Sequence, residues 1–286
     1  MACDRGAASQ PPAAAATPAS TGDFLQRRAQ HPTALRHDGP STGAQRLAPA
    51  PAGAQAVQYE SGSLTLAAWL ALPPGPGPHP ALVYLHGGFS LAPSDFEAVR
   101  RFVDAGWVVM TPALRGENGN PGRFELLWGE LDDAVAAIQW LSRRAEVDPA
   151  RIDVVGHSVG GGLAALVSLR PDAPVRGTAS IGGLYEPSTF GRWARSDGNA
   201  ALVRFDVDDR DETELRVLGP HVATMVHPHV AFIGRDDTPF LDNAARIEAA
   251  ARQAGAPLRV VPVDGDHERS RDAGLAALLR RLQEAA

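Results

Sequence analysis

The amino-acid sequence predicts an α/β fold: a mostly parallel central sheet with helices on both faces and a short insertion after the sixth strand. Three observations point there. Short, continuous apolar runs such as Ala81-Leu82-Val83-Tyr84-Leu85 and Ile152-Asp153-Val154-Val155 have the character of strands buried on both sheet faces. Between these runs lie stretches with apolar residues at helical spacing, and strands separated by helices require right-handed crossovers. Hydrophobic residues make up 44% of the 286-residue chain, enough for one sizeable core, yet no run approaches the ~18 apolar residues of a membrane span.

Taken in order, residues 1–22 are rich in Ala, Pro, Ser, Thr and Gln, hold no aromatic residue, and cannot bury enough surface to order themselves. Residues 23–56 scatter Phe24, Leu25, Leu35 and Leu47 among Pro, Gly and Arg with no sustained period, as in a linker partly draped over a domain. The expected organisation is a disordered tail and linker over 1–55 and one catalytic domain over 56–286. Residues 57–60 and 64–72 read as an antiparallel pair turning at Ser61-Gly62. After the strand 81–85, Ser94-Asp95-Phe96-Glu97 has the S-x-x-E form of a capping box and opens a helix through Phe96, Val99, Phe102 and Val103. A strand at 107–110 follows. Residues 130–144 place Leu131, Val135, Ile138 and Leu141 on one helical face, with acids in the first turn and Arg143-Arg144 in the last, matching the helix dipole. Further strands are expected at 152–155, 177–181, 230–233 and 258–261, and helices at 242–254 and 272–283. Residues 184–228 are too long for a simple connection and form the insertion, with Tyr185, Phe190 and Trp193 as candidates to cover a pocket. Its acidic run, 206–214, reads as a solvated face.

Composition removes whole chemistries. All 27 Lys+Arg residues are arginine, so this chain offers no Schiff-base lysine, no Ser-Lys dyad and no P-loop. One cysteine, Cys3, makes no internal disulfide or multi-cysteine metal site. A net charge of -6 lacks the basic footprint of a nucleic-acid binder. The N-terminus has no signal-peptide pattern, but Met1-Ala2-Cys3-Asp4 resembles a mature lipoprotein start, so the compartment has two readings: a cytoplasmic protein with a ragged tail, or a cell-envelope protein with a lipid anchor at Cys3. The oligomeric state is not legible.

Gly156-His157-Ser158-Val159-Gly160 is a G-x-S-x-G placed between an apolar strand and a helical run. That context suits a sharp turn exposing Ser158 at the positive end of a helix, with glycines where side chains would collide. A serine hydroxyl needs a base. Of nine histidines, His31 and His37 lie in the linker, His79 in a Pro-rich loop, His86 in another motif, and His157 has the wrong backbone direction. His221, His227 and His229 precede or begin a strand, and His227-Pro228-His229 lacks a third metal ligand nearby. His267, in a loop after the final strand, remains. Asp236 or Asp237, just past the strand 230–233, would orient its ring. The order Ser, Asp, His is that of the α/β hydrolases. His86-Gly87-Gly88-Phe89 follows the strand 81–85, where the amide of Gly88 (or Phe89), with that of Val159, would hold an oxyanion.

With these motifs the chain resembles the α/β-hydrolase superfamily, and within it prolyl-oligopeptidase-like and dienelactone-hydrolase-like serine hydrolases. The likeness runs from about Pro80 onward and includes the loop from Thr111 to Gly119, the helix from Trp128 to Leu141 and the approach from Leu218-Gly219-Pro220-His221 to Asp237. The family places its acid three residues after the glycine, which implies Asp237 over Asp236, although Asp237-Thr238-Pro239 brings the proline closer than usual. The resemblance implies a nucleophile at Ser158, a base at His267 and an orienting acid at Asp237, with no cofactor and no metal. The short tail ahead of the domain disfavours an oligopeptidase with its propeller. A small acyl ester is the expected substrate; a peptidase or amidase on the same triad, and a non-catalytic hydrolase-fold binding module, are the alternatives.

Overall fold

The computed structural model describes residues 21–39 and 45–285; the lipoprotein-like start at Cys3 lies outside them. Among the described residues, no helix is long and apolar enough to cross a membrane. The strands are β1 (Gln55–Ser61), β2 (Leu64–Ala71), β3 (His79–Leu85), β4 (Val108–Pro112), β5 (Val147–His157), β6 (Gly177–Ile181), β7 (His229–Gly234) and β8 (Leu258–Val263). They form one sheet in the order β1-β2-β4-β3-β5-β6-β7-β8. The β1–β2 and β2–β4 pairings are antiparallel, and every pairing from β4 to β8 is parallel. Parallel pairing demands crossovers, supplied between β3 and β6 by α2 (Pro93–Asp104), α3 (Gly129–Ser142) and α4 (Val159–Val167) and between β7 and β8 by α7 (Thr238–Ala254), while α8 (Arg269–Glu284) follows the last strand and packs on the sheet.

Cores lie on both faces of the sheet. Leu85, Val83, Val154 and Met110 pack toward α3 and α4, whereas Leu82, Val109, Val155 and Phe232 pack toward α2 and α8. This is why the strands read as continuous apolar runs rather than alternating ones. The insertion after β6 carries α5 (Pro187–Ala194) and α6 (Arg210–Glu214).

Three local expectations are corrected. Helix α2 begins at Pro93, and it is Asp95 at the third position whose carboxylate accepts the Ala92 amide at 2.9 Å; Ser94 does not cap, and Glu97 pairs with Arg100. Proline at the first helical position costs no hydrogen bond, so the helix starts before the serine. The acidic run is not merely solvated: Glu212 is buried and accepts Thr33 Oγ1, the Ala34 amide and the Arg216 guanidinium, while Asp211 and Glu214 bind Arg27.

The third concerns the expected linker. Its first residues, with the end of the expected tail, form helix α1 (Thr21–Gln30), with Phe24 fully buried. Arg28 donates to the carbonyls of Leu215 (3.0 Å), Trp128 (2.7 Å) and Leu127 (3.5 Å) and lies 4.2 Å from the Trp128 ring centroid. Arg216, from the insertion, approaches the same ring at 4.7 Å and donates to the carbonyls of Leu126 and Glu125. Burial lowers both guanidinium pKa values to about 10. Between these arginines, residues 125–128 form a loop with Leu126 and Leu127 at φ 54° and 67°, a strained region for side-chain-bearing residues. Its carbonyls face the arginines, and the amides of Glu125, Leu126 and Trp128 donate to the buried carboxylate of Glu130. Burial raises that carboxyl to about 7.

Replacing Arg28 with Ala strips donors from buried carbonyls, and we expect a loss of about 2–4 kcal/mol in urea unfolding. A change within about 0.5 kcal/mol would mean that α1 is not part of the cooperative unit.

Candidate active site

The strand ends of β5, β7 and β8 bring three side chains together. Ser158 occupies a one-residue turn between β5 and α4, at φ 55° and ψ −117°, and its amide donates to the Ile181 carbonyl at the end of β6 (2.9 Å). The turn is possible because α4 comes very close to the sheet. A Cβ at Gly156 would overlap the Gly160 carbonyl oxygen, and one at Gly160 would overlap the carbonyls of Leu85 and His86.

His267, in the loop between β8 and α8, places Nε2 2.9 Å from Ser158 Oγ and Nδ1 2.8 Å from Asp237 Oδ2. In the Nδ1–H tautomer the ring donates to the carboxylate and accepts from the hydroxyl. Asp237 is buried, at 2% exposure, where a carboxylate needs a partner; Asp236 is exposed, and only its amide, donating to the Gly265 carbonyl, engages the loop that carries the histidine. Geometry therefore pairs the histidine with Asp237.

The glycine loop after β3 approaches from the other side. A Cβ on Gly87 would lie 2.9 Å from His157 Nδ1 and 3.4 Å from Ser158 Cβ, so bare backbone is brought against the serine. Gly88 adopts φ 70° with open space around it, and Val159, first residue of α4, has an amide without an intrahelical acceptor.

Two residues that sequence reasoning left out of the site hold this loop. Glu117 Oε1 accepts from His86 Nε2 at 2.8 Å and from the Leu114 amide at 2.5 Å. Its neighbour Asn118 accepts the Leu91 amide (2.8 Å) and donates to the Leu91 carbonyl (2.9 Å). Consecutive residues thus grip both ends of the 86–91 loop. Burial opposes charge on His86, but the adjacent Glu117 carboxylate outweighs it, and the ring's pKa rises to about 9. The only hint in the sequence was the Gly-rich character of residues 115–120; which carboxylate faces which ring depends on β3 and β4 being neighbours.

The other histidines are engaged elsewhere. His227 Nε2 meets the Arg170 carbonyl, and His229 lies between Thr178 and Ser180 hydroxyls, with burial lowering its pKa to about 3. His157 Nε2 donates to the His267 carbonyl at 3.0 Å. Of the insertion aromatics, Tyr185 is core, its hydroxyl 2.7 Å from Ser180 Oγ, whereas Trp193 packs on Phe89 of the glycine loop (centroids 6.2 Å) and on Phe190.

A doubly covered parallel sheet with a serine at a strand-to-helix elbow defines the class: this is an α/β hydrolase. Residues 66–265 match the dienelactone hydrolase family, and the chain belongs to that family. It is 32% identical over 222 residues to the uncharacterized protein Rv2307c of Mycobacterium tuberculosis, covering 75% of this chain and 72% of that one. It is 29% identical over 131 residues to the uncharacterized peptidase YtmA of Bacillus subtilis, covering 46% of this chain and spanning about half (51%) of that relative. A puromycin-hydrolyzing peptidase of M. tuberculosis superposes with a TM-score of 0.70 at 19% identity, over 81% of this chain but 39% of that one; the likeness is one of fold. Solved structures sharing the fold include both acylaminoacyl peptidases and an esterase.

The His86–Glu117 pair should impose a pH dependence on stability. With a folded pKa raised from 6.5 to about 9, the ring's contribution is full below pH 6.5 and is lost as pH rises through 9. The stability difference between wild type and His86→Gln in urea unfolding should shrink over that window by up to about 3 kcal/mol. A difference constant with pH would mean that the ring stays neutral.

Proposed function

We propose that the protein is a serine hydrolase of carboxylic esters, with Ser158 as nucleophile, His267 as base, Asp237 as orienting acid, and the amides of Gly88 and Val159 as oxyanion donors. The observation that carries this is the continuous path from Ser158 Oγ through His267 to Asp237, with steps of 2.9 and 2.8 Å across three strand ends. In it, the Ser158 proton passes to His267 Nε2 while Oγ bonds to the acyl carbon and the carbonyl electron pair moves onto its oxygen. The two amides hold that oxyanion. On collapse the bond to the alcohol breaks, and the alcohol oxygen takes the proton from Nε2. Water, deprotonated by the same nitrogen, then attacks the acyl-enzyme and releases the acid as Ser158 recovers its proton. Asp237 fixes the ring so that Nε2 faces the serine and stabilises the imidazolium in each step. Besides the ester and water, these steps use only protein groups. The catalytic unit is residues 56–286, on which 21–39 pack.

Esters are favoured because an alkoxide departs more readily than an amine, so the same set of groups suffices for an ester before any dedicated peptide site is added. A peptidase on the same residues is the second reading, supported by the peptidase name of the B. subtilis relative.

Ser158→Ala should lower hydrolysis of 4-nitrophenyl acetate by at least about 10³-fold and abolish labelling by a fluorophosphonate. Undiminished turnover would refute the assignment. Asp237→Asn should cost about 10²- to 10⁴-fold in kcat, and Asp236→Asn less than about threefold; the reverse ranking would move the acid to Asp236. Matched esters and anilides of the same acyl group decide between the readings, with faster anilide cleavage favouring the peptidase.

A further inference from the structure

The imidazole of His267 is held by more than its two hydrogen bonds. Phe240, half-buried in the first turn of α7, stacks on it with centroids 4.7 Å apart and an interplanar angle of 24°. Phe240 stands three residues after Asp237, and its amide donates to the Asp237 carbonyl at 2.9 Å. One helical turn therefore presents a carboxylate to Nδ1 and an aromatic face to the ring. At another edge, the backbone of Gly182 approaches so closely that a Cβ there would lie 2.9 Å from Cε1 of His267. The His157 ring is 5.2 Å away at 37°. Burial holds His157 below the ordinary imidazole range, so it meets His267 as a neutral ring. The charged groups near this assembly are Asp237 at Nδ1, with Glu268 and Arg271 at the start of α8 acting on His157.

We propose that Phe240 is a positioning residue for the reaction: its ring holds the His267 imidazole in the plane that reaches both Asp237 and Ser158, and its π face stabilises the imidazolium formed as Ser158 attacks. This rests on the triad reading above. A leucine at 240 fills similar space but has no quadrupole, and tyrosine keeps the face. Any aromatic stabilisation of the cation exists only after the proton has moved, so it acts on turnover rather than on substrate binding. The stacking also restricts the ring's rotation about its side-chain bonds, which two hydrogen bonds alone leave to thermal libration.

The test compares Phe240→Leu and Phe240→Tyr in the full chain with 4-nitrophenyl acetate as substrate. Phe240→Leu should lower kcat by about twofold to thirtyfold, with KM changed by less than about twofold, and Phe240→Tyr should restore kcat to within about twofold of wild type. A second readout does not depend on turnover. The low-field proton resonance of the His267 Nδ1–H bond, identified by its loss in His267→Gln, should be broadened in Phe240→Leu and restored in Phe240→Tyr. The proposal is overturned by an unchanged resonance in Phe240→Leu, by leucine and tyrosine variants that behave alike, or by a rise in KM at constant kcat, which would make Phe240 a substrate contact. Failure of the triad reading is separately visible, as activity that survives Ser158→Ala, and the resonance still decides whether Phe240 orders the ring.

Discussion

The arrangement depends on how closely helix α4 can approach the ends of β3 and β5. Glycine at 156 and 160 removes the two side chains that would separate them, and the Ser158 amide ties the turn to Ile181 on β6. With α4 this close, Ser158 is forced to a positive φ, which brings its hydroxyl to the carboxyl edge of the sheet and puts the Val159 amide at a helix terminus. The glycine loop after β3 can then rest its backbone against the serine. A Cβ at Gly156 would push α4 away at the Gly160 carbonyl, and one at Gly160 would push it away from the Leu85 and His86 carbonyls, so a side chain at either position would shift Ser158 relative to the glycine loop.

A second layer of organisation is polar and buried. Glu117 and Asn118 secure the glycine loop at its two ends, and Arg115 makes a bidentate pair with Asp133 that fixes the loop carrying them to α3. Farther out, Arg28 and Arg216 enclose Trp128 and receive the carbonyls of a strained turn whose amides go to Glu130. Leu127 of that turn packs near Gly162 on α4, directly behind the elbow. The N-terminal helix and the insertion thus reach the back of the turn at Ser158 through one loop. Isolated guanidinium groups are costly to bury, and these are tolerated because several backbone acceptors and aromatic faces replace the lost water.

Much of the site was legible because its chemistry is local. The elbow needs glycines at fixed offsets from the serine, and the base and acid need only follow strands, so motif and order sufficed to nominate Ser158, His267 and a pair of aspartates. The choice within that pair illustrates the boundary. Asp236 and Asp237 are adjacent and chemically identical, and only the turn into α7 buries one against the imidazole and leaves the other in solvent. The start of α2 marks the same boundary, since Ser94-Asp95-Phe96-Glu97 fits a capping box while Pro93 already fits the first helical position.

By itself, the sequence determined the layered α/β class and the absence of lysine chemistry, and it nominated Ser158 and the strand ends where its partners would be found. Tertiary structure alone decided that residues 21–30, without a sustained apolar period, become helix α1, that an acidic run docks arginines, that Glu117 faces His86 and that Phe240 covers His267. The physical reason is range. Periodicity and turn chemistry act between residues a few positions apart, whereas Arg28 and Trp128, or Glu212 and Thr33, are joined only once the sheet has set which chain segments are neighbours.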